Sequence, residues 1–373
     1  MASASLLSIM TIQQSEYTAR WQLLINSGDA FWVTPQNTSL IYVNSENRVV
    51  LKVDNTTFVP YLEKRYSPKL YSRSRYNIGT VWVMDAVHLP YGCSVWPAYW
   101  TQGPDWPEHG EIDIIEGVNA QKVNMVALHT ANGSRCAISE TGNSFSGRVE
   151  HPSCDQSLNF GSGCTVFDRN ENSYGEAFKN AGGGVYVAEW AKNGIRVWFF
   201  TRSSIPASLH LKAEEIDTSV FGTPLAAYSS ETCDIENLFG PQMLTINIAL
   251  CGDYAGQKSI LEQTCPPLKG EQTCYTTYVI NDAAQTYANA YFEINYINVY
   301  ASSNPIPDSS SSGSSGVSTV HGIDATTTLR AVPSGTTAAN GKGQHNGAQK
   351  RFTLRWTEAF GLLVGILIAD CLI

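Results

Sequence analysis

Short stretches of hydrophobic residues recur from Phe31 to Tyr300, and polar residues separate them. The stretches are rich in β-branched and aromatic residues and are bounded by Gly, Pro, Asn or Asp; they include SLIYV, VVLKV, GTVWVMDAV, NMVALHT, GVYVAEW, IRVWFF, MLTINIAL and YFEINYINVY. Such runs are typical of β-strands, and no long run before residue 302 has the helical period of about 3.6 residues. The pattern predicts an all-β fold, a sandwich of two packed antiparallel sheets.

The segment AEWAKNGIRVWFF predicts a β-hairpin within this sandwich. Asn193-Gly194 is the turn signal, because Asn-Gly is favoured where both turn residues need a positive φ.

Three carboxylates, Glu111, Asp113 and Glu116, are concentrated in GEIDIIEGVN at residues 110 to 119. In a strand, alternate side chains share a face, so Glu111 and Asp113 lie together while the isoleucines pack inward. Strict alternation would turn Glu116 away. A β-bulge between Asp113 and Glu116 would shift the alternation by one residue and return Glu116 to the same face. We call these three residues the acid row.

An acid row of this kind suits a retaining glycosidase, in which two carboxyl groups lie about 5 to 5.5 Å apart across the bond that is cut. On a straight strand, positions four residues apart are separated by about 13 Å, so twist and the bulge must bring the carboxyls together. The alternative is a solvated edge strand whose charges prevent edge-to-edge pairing. The intervening isoleucines favour a strand that covers a core.

Aromatic residues immediately precede the acid row in CSVWPAYWTQGPDW. Trp96, Tyr99, Trp100 and Trp106 all belong to this segment. Aromatic planes stack on the flat C–H faces of sugars, although each of these rings could instead belong to the core. Together with the acids, they favour a carbohydrate site.

The segment WPAYWTQGPDWPEHGEIDIIEGVN resembles the active-site region of glycoside hydrolase family 16, in its laminarinase-type branch of fungal endo-β-1,3(4)-glucanases. That branch carries E-x-D-x-x-E with a bulge, whereas the lichenase and cell-wall transglycosylase branches carry E-x-D-x-E. Further similar segments are MVALHT, NSYGEAFKNAGGGVYVAEW, VWFF, CGDYAG and ANAYFEINYINVY. The resemblance covers about residues 30 to 301.

The resemblance implies a concanavalin-like jelly roll with a concave substrate cleft. It implies that Glu111 is the nucleophile, that Glu116 is the general acid/base, and that Asp113 orients the nucleophile. The expected activity is hydrolysis of β-1,3 or mixed β-1,3/1,4-glucan with retention. The alternatives are a cell-wall transglycosylase and a β-glucan-binding module that does not cut. Because such binding relatives lack one or both glutamates, the intact acid row favours an enzyme.

Five residues are candidates for substrate binding: Trp96, Trp100, Trp106, His129 and Tyr254. His129 is expected to lie on the strand that follows the acid row and to point into the same cleft. The alternative is a structural role, which is as common for a single histidine on a strand. Relatives usually have Trp where this chain has Tyr254, and tyrosine offers less stacking area.

No cofactor or catalytic metal is expected, because isoleucines fill the gaps of the acid row and no Cys/His spacing matches a zinc site. The net charge of -9 argues against a nucleic-acid partner and fits a neutral polysaccharide. The chain is expected to be a monomer.

The nine cysteines and three glycosylation sequons indicate a secreted protein. With Cys371 set aside in the C-terminal stretch, eight cysteines can pair, and the expected local pairs are Cys233 with Cys251 and Cys265 with Cys274. The sequons begin at Asn37, Asn55 and Asn132.

The chain divides into four segments by composition. Residues 1–20 are an uncertain start with a degenerate or mispredicted secretion signal, and residues 21–302 form the catalytic domain. Residues 303–348 are a disordered Ser/Thr/Gly-rich stalk, because so few apolar groups cannot form a core. Residues 349–373 match a glycosylphosphatidylinositol-attachment signal, with Asn346 as the expected site and Asn340 as a second candidate. The alternative, a membrane helix, needs about 20 apolar residues. The expected location is extracellular, anchored at the cell surface or wall.

Overall fold

The computed structural model describes residues 10–12, 28–33, 39–139, 144–280, 282–307 and 329–330. Contacts divide the chain into Met1–Gly335 and Thr336–Ile373, and the second unit lies outside the described residues. Also outside them are Asn37, most of the predicted signal and most of the predicted stalk. The same holds for Cys371 and for the attachment signal with Asn340 and Asn346.

Strands dominate the described part of the chain. They are β1 (Met10–Ile12), β2 (Ala30–Trp32), β3 (Ile41–Val43), β4 (Val49–Lys52), β5 (Arg65–Ser67), β6 (Lys69–Tyr76), β7 (Thr80–His88), β8 (Val95–Gln102), β9 (Glu111–Glu116), β10 (Met125–His129), β11 (Arg148–His151), β12 (Cys164–Phe167), β13 (Gly184–Ala191), β14 (Gly194–Thr201), β15 (Glu215–Ile216), β16 (Ala226–Ser229), β17 (Gln242–Leu250), β18 (Tyr291–Ala301), β19 (Ile306–Pro307) and β20 (Leu329–Arg330). The all-β prediction is confirmed.

Helices are short and lie between strands. They are α1 (Gly175–Asn180), α2 (Ile235–Leu238), α3 (Gly252–Ala255) and α4 (Lys258–Leu261), with 3-10 turns at Asn159–Gly161, Glu171–Ser173 and Thr218–Val220 and a π-helical turn at Tyr275–Val279. Within the described ranges, no helix is long and apolar enough to cross a membrane.

Two antiparallel sheets form the sandwich. One has nine strands in the order β1-β6-β17-β8-β9-β10-β12-β11, with β19 also paired to β6. The other has seven strands in the order β16-β14-β13-β7-β18-β4-β3, and β2–β5 and β15–β20 form separate pairs. The acid row lies on β9, near the middle of the nine-stranded sheet.

The inner faces of the two sheets bury a common core. Tyr76 of the nine-stranded sheet meets Trp82 of the seven-stranded sheet edge to face, with ring centroids 6.3 Å apart. Trp82 stacks on Trp190 in the neighbouring strand. Burial of such large aromatic side chains is a major source of stability, since each removes roughly 150 to 250 Å² from water.

Strands β7 and β13 are buried almost throughout, which explains why their sequences are apolar without alternation. Their second face is covered by residues 205 to 221, where Leu209, Ile216 and Phe221 pack on Val83 and Val185 in a separate apolar cluster. A strand buried on both faces needs no polar side.

The predicted hairpin is confirmed as the pair β13–β14, but its turn lies one residue earlier than expected. Ala191 pairs with Gly194, so Lys192 and Asn193 make the connection and Gly194 already belongs to β14. Gly194 has φ of 149° and Asn193 does not adopt a positive φ. A Cβ on Gly194 would lie 2.5 Å from the Tyr228 carbonyl oxygen, so close strand packing explains the glycine.

All eight cysteines of the described domain form disulfides, but both predicted pairs are wrong. The bonds are Cys93–Cys265, Cys136–Cys233, Cys154–Cys164 and Cys251–Cys274. Sequence proximity misled the prediction, because the sheet topology brings distant segments together. Cys93 and Cys265, for example, are 172 residues apart.

The two described sequons differ in exposure. Asn132 is exposed in the turn after β10. Asn55 is half-buried, its side chain accepting a hydrogen bond from Lys52 at 2.8 Å. The environment of Asn132 therefore suits a glycan better than that of Asn55.

Candidate active site

A β-bulge interrupts β9 at the point that the sequence predicts. Tyr99 of β8 pairs with Ile115, and the next residue, Trp100, pairs with Asp113, so Ile114 has no partner on β8. On the other side, Met125 pairs with Glu116 and Ala127 with Asp113. Relative to each neighbouring strand, β9 has one extra residue, which confirms the predicted bulge.

Because of the bulge, the acid row occupies one face of β9. Glu111 and Glu116 are half-buried there and Asp113 is 2% exposed, whereas Ile112, Ile114 and Ile115 are buried in the core. We call this side of the nine-stranded sheet the outer face.

Asn124 holds the bulge in place. Its side-chain amide donates to the Ile114 carbonyl oxygen at 2.9 Å, and its side-chain oxygen accepts from the Glu116 backbone N–H at 3.1 Å. A bulge leaves backbone groups without ladder partners, and burying such groups unpaired is costly. Asn124 is fully buried and satisfies both groups, so it sets the position of Glu116.

His129 lies directly opposite Glu111 on β10 and forms an ion pair with Asp113. Its Nε2 is 3.2 Å from Asp113 Oδ2, and its Nδ1 is 2.6 Å from Gln156 Oε1. The Gln156 amide in turn donates to the Gly161 carbonyl oxygen, which fixes the orientation of Gln156. Since both ring nitrogens face acceptors, the ring carries both protons.

The neighbouring acids raise the pKa of His129. Burial lowers its pKa, but the hydrogen bond with Asp113, the charges of Glu111 and Asp113, and the contact with Gln156 outweigh burial and raise the pKa to about 10. His129 is therefore an imidazolium at neutral pH. It was predicted to contact substrate, and the structure shows its nitrogens directed at Asp113 and Gln156.

Burial raises the pKa of all three carboxyls in the acid row. For Glu111, the charge of Asp113 adds to burial and raises the pKa well above its usual range, while His129 and a hydrogen bond from Trp106 act in the opposite direction. For Glu116, a hydrogen bond from Trp96 opposes burial. Because the charge of Asp113 raises the pKa of Glu111, these two carboxyls titrate as a pair.

Each glutamate accepts a hydrogen bond from a tryptophan. Trp96 Nε1 donates to Glu116 Oε1 at 2.7 Å, and the Trp106 side chain hydrogen-bonds to Glu111. Trp106 remains 39% exposed in the loop between β8 and β9. These residues were predicted from sequence as sugar platforms, and the structure adds direct contact with the acids.

The remaining predicted aromatics divide between core and outer face. Tyr99 is fully buried in the core. Trp100 is half-buried on the outer face, and its Nε1 donates to Asn247 Oδ1 at 2.7 Å. Tyr254 packs edge-on against Trp96, with centroids 5.6 Å apart. The sequence offered no signal for Asn124, Gln156 or Asn247, because a single asparagine or glutamine has no distinctive spacing.

Glu111, Asp113 and His129 are also the described residues whose geometry could hold a cation, since one ligand atom of each lies within 4.8 Å of the others. Metal ligation needs a free lone pair on the imidazole. The protonated His129 has none and already supplies a positive charge at this position.

A model of the XgeA-like catalytic domain of glycoside hydrolase family 16 matches residues 26–300. The chain belongs to this family. The predicted resemblance, which extended over about residues 30 to 301, is confirmed.

Several curated relatives of the chain are fungal. A probable endo-1,3(4)-beta-glucanase from Neosartorya fischeri is 37% identical over 321 residues, which cover 80% of this chain and 48% of that protein. The chain spans about half the length of the curated relatives it matches.

Two solved structures of family 16 share the fold. Laminarinase 16A from Phanerochaete chrysosporium, with beta-glucans in its donor and acceptor sites, has a TM-score of 0.69 and 33% identity, covering 79% of this chain and 95% of that chain. An elongating beta-1,3-glucosyltransferase of the family has a TM-score of 0.65 and 36% identity, covering 72% and 90%. The predicted jelly-roll sandwich is confirmed.

Proposed function

We propose that the chain is a retaining endo-β-glucanase that hydrolyses β-1,3 or mixed β-1,3/1,4-glucan. The observation that carries this proposal is the bulged acid row, in which Glu111 and Glu116 share the outer face and each accepts a tryptophan hydrogen bond. The names of the fungal relatives and of the laminarinase structure support the substrate class.

In the proposed first step, a Glu111 carboxylate oxygen attacks the anomeric carbon as the glycosidic C–O bond breaks, and Glu116 gives its proton to the leaving oxygen. The His129 charge and then the Trp106 hydrogen bond favour the ionised form of Glu111, against the burial and the Asp113 charge that raise its pKa. Asp113 is held beside Glu111 by its ion pair with His129, and this position allows it to orient the nucleophile.

In the second step, Glu116 takes a proton from water, and the water oxygen replaces Glu111 at the anomeric carbon. Esterification has by then removed the negative charge of Glu111, so Glu116 loses a repulsive neighbour that raises its pKa. The lower pKa suits Glu116 to remain a carboxylate and act as the base.

Product analysis tests the reaction class. With laminarin and cereal mixed-linkage glucan, we expect shorter oligosaccharides whose newly formed ends have the β configuration, as followed by NMR during the reaction. An α configuration at early times would contradict the double displacement.

A transglycosylase is the second candidate, favoured by the 36% identity to the elongating glucosyltransferase. Both reactions share the first step and differ in whether water or a sugar hydroxyl accepts the glycosyl group. Products longer than the donor glucan would identify the transferase. A β-glucan-binding module without turnover is disfavoured, because the acid row is complete.

We further propose that the protein acts outside the cell as a lipid-anchored monomer at the cell surface or wall. Four disulfides support an oxidising compartment, and the sequence after residue 345 supports the anchor. Release of the protein from intact cells by a phosphatidylinositol-specific phospholipase tests the anchor.

A further inference from the structure

Three basic residues lie on β6, the strand beyond β17 on one side of the acid row. Lys69 and Arg75 pair with Asn247 and Met243 of β17, while Leu70 and Tyr76 pack in the core. Because those β17 residues pair through β8 with Glu116 and Glu111, Lys69 and Arg75 lie on the same outer face as the acid row. Arg73 is exposed in the irregular stretch of β6 between them. We call these three residues the basic strip.

The basic strip runs alongside the acid row, and three strand spacings separate β6 from β9. Two ladders of paired residues connect them: Lys69–Asn247–Ala98–Glu116 and Arg75–Met243–Gln102–Glu111. Each ladder crosses three strand spacings of about 4.8 Å, or roughly 14 Å. A polysaccharide that crosses the sheet from the acid row would reach the basic strip after a few sugar units.

The basic strip lacks acidic partners. Among the residues that the structure describes, no carboxylate forms an ion pair with Lys69, Arg73 or Arg75, although Arg48, Arg196 and Arg202 all have one. Arg75 Nη1 is buried, and no described group hydrogen-bonds to it. The basic strip therefore keeps its positive charge in a chain of net charge -9.

Aromatic rings surround the Lys69 ammonium instead. It lies 5.4 Å from the Trp32 ring centroid, 5.2 Å from that of Tyr71 and 5.5 Å from that of Trp100. Cation–π contacts hold the charge in position without neutralising it. Because Trp100 also pairs with Asp113 across β8 and β9, it lies between Lys69 and the acid row.

We propose that the basic strip binds an anionic substituent, a carboxylate or a phosphate, carried by a glucan a few sugar units from the bond that is cut. Arginine forks match both groups in two-pronged geometry, and a cationic patch beside a cleft attracts anionic chains. The inference rests on the proposed function, because it takes the glucan to cross the sheet from the acid row.

The test uses the full-length protein and compares three substrates of matched length: laminarin, carboxymethylated laminarin and phosphorylated laminarin. KM is measured for each at 20 mM and 500 mM NaCl, where charge screening is weak and strong, respectively. We expect KM for the anionic probes to be lower than for laminarin at low salt and to rise with salt. The probe with the larger difference identifies the preferred anion.

The double variant Arg73→Gln/Arg75→Gln should raise KM for the anionic probes by about three- to tenfold at low salt, as expected for two partly exposed charge contacts. Its kcat and KM on laminarin should match the wild type. The control Lys212→Gln/Lys269→Gln removes two exposed charges outside the nine-stranded sheet and should change neither. Arg73→Gln alone serves if the double variant does not fold, because Arg73 is exposed.

Equal KM values for wild type and double variant on both anionic probes, with normal laminarin turnover, would overturn the inference and leave the proposed function intact. Absence of turnover by the wild type on every probe would contradict the proposed function instead. The basic strip would then be tested by equilibrium binding of the anionic probes, where equal affinities of wild type and double variant would again overturn it.

Discussion

Trp96 and Trp106 give the two glutamates the same kind of support from opposite ends of the acid row. A hydrogen bond to a carboxylate stabilises its charged form and lowers its pKa. Both tryptophans act in this direction against burial, which raises the pKa of Glu116 and Glu111. The two indoles thus lower the pKa values of both acids, whereas the sequence indicated these tryptophans only as sugar platforms.

Replacing either tryptophan by phenylalanine keeps a ring and removes the donor, so the two variants should differ in their pH profiles of kcat/KM. Trp96→Phe raises the pKa of Glu116, and we expect the basic limb to move to higher pH. Trp106→Phe raises the pKa of Glu111, and the acidic limb should move to higher pH. If neither limb moves while kcat/KM falls, the indoles serve the substrate alone.

The acid row carries a cost in stability that follows from its pKa values. A carboxyl whose folded-state pKa is raised contributes stability below its unfolded pKa, near pH 4, and loses it as pH rises through the folded value. The raised pKa of Glu111 therefore predicts that the folded protein loses stability as pH increases from 4 towards neutrality.

Glu111→Gln removes this loss, keeps the shape of the side chain and can still accept from Trp106. We expect the variant to lose nearly all turnover and yet to be more stable than the wild type at pH 7, by roughly 1 kcal/mol or more. Urea unfolding at pH 4 and pH 7 measures the difference, which should be smaller at pH 4. A variant that is less stable at pH 7 would contradict the electrostatic account.

The bulge in β9 is the element on which the site depends, and Asn124 is the residue that completes it. Asn124→Ala leaves the Ile114 carbonyl and the Glu116 N–H without partners. At about 1 to 3 kcal/mol for each of the two unsatisfied groups, the free energy of unfolding should fall by roughly 2 to 6 kcal/mol. Because Glu116 loses its support, kcat should fall more than KM rises.

The control for this variant is Asn172→Ala, which changes an exposed asparagine and should alter stability by less than about 0.5 kcal/mol. Equal stability of Asn124→Ala and Asn172→Ala would show that the bulge does not need the Asn124 amide.

The β9 bulge and the β13–β14 hairpin were predicted from local sequence patterns, because alternation constrains the first and turn chemistry the second. The parity of Glu111, Asp113 and Glu116 required a bulge, and the bulge is present. The hairpin was found from Asn193-Gly194, with its turn displaced by one residue. Asn124 and Gln156 were missed because their partners are backbone groups and side chains that only the folded sheet brings near.

At the scale of the whole molecule, the sequence indicated the class of fold but not its long-range connections. The short hydrophobic segments predicted two antiparallel sheets, because the composition and length of each segment indicate a strand without reference to the rest of the chain. The disulfides were mispredicted because Cys93–Cys265 and Cys136–Cys233 join segments far apart in the chain. The basic strip also depends on sheet order, which places β6 three strands from the acid row.

We assign Glu111 as the nucleophile and Glu116 as the acid/base of one retaining site. Chemical rescue of Glu111→Gly and Glu116→Gly by azide, with an aryl β-laminaribioside as substrate, distinguishes these two roles. In Glu111→Gly, azide takes the place of the nucleophile, and the predicted product is the α-glycosyl azide. In Glu116→Gly, azide attacks the glycosyl-enzyme, and the predicted product is the β-glycosyl azide. Rescued products with the two configurations exchanged, or folded variants that keep wild-type turnover without azide, would contradict the account.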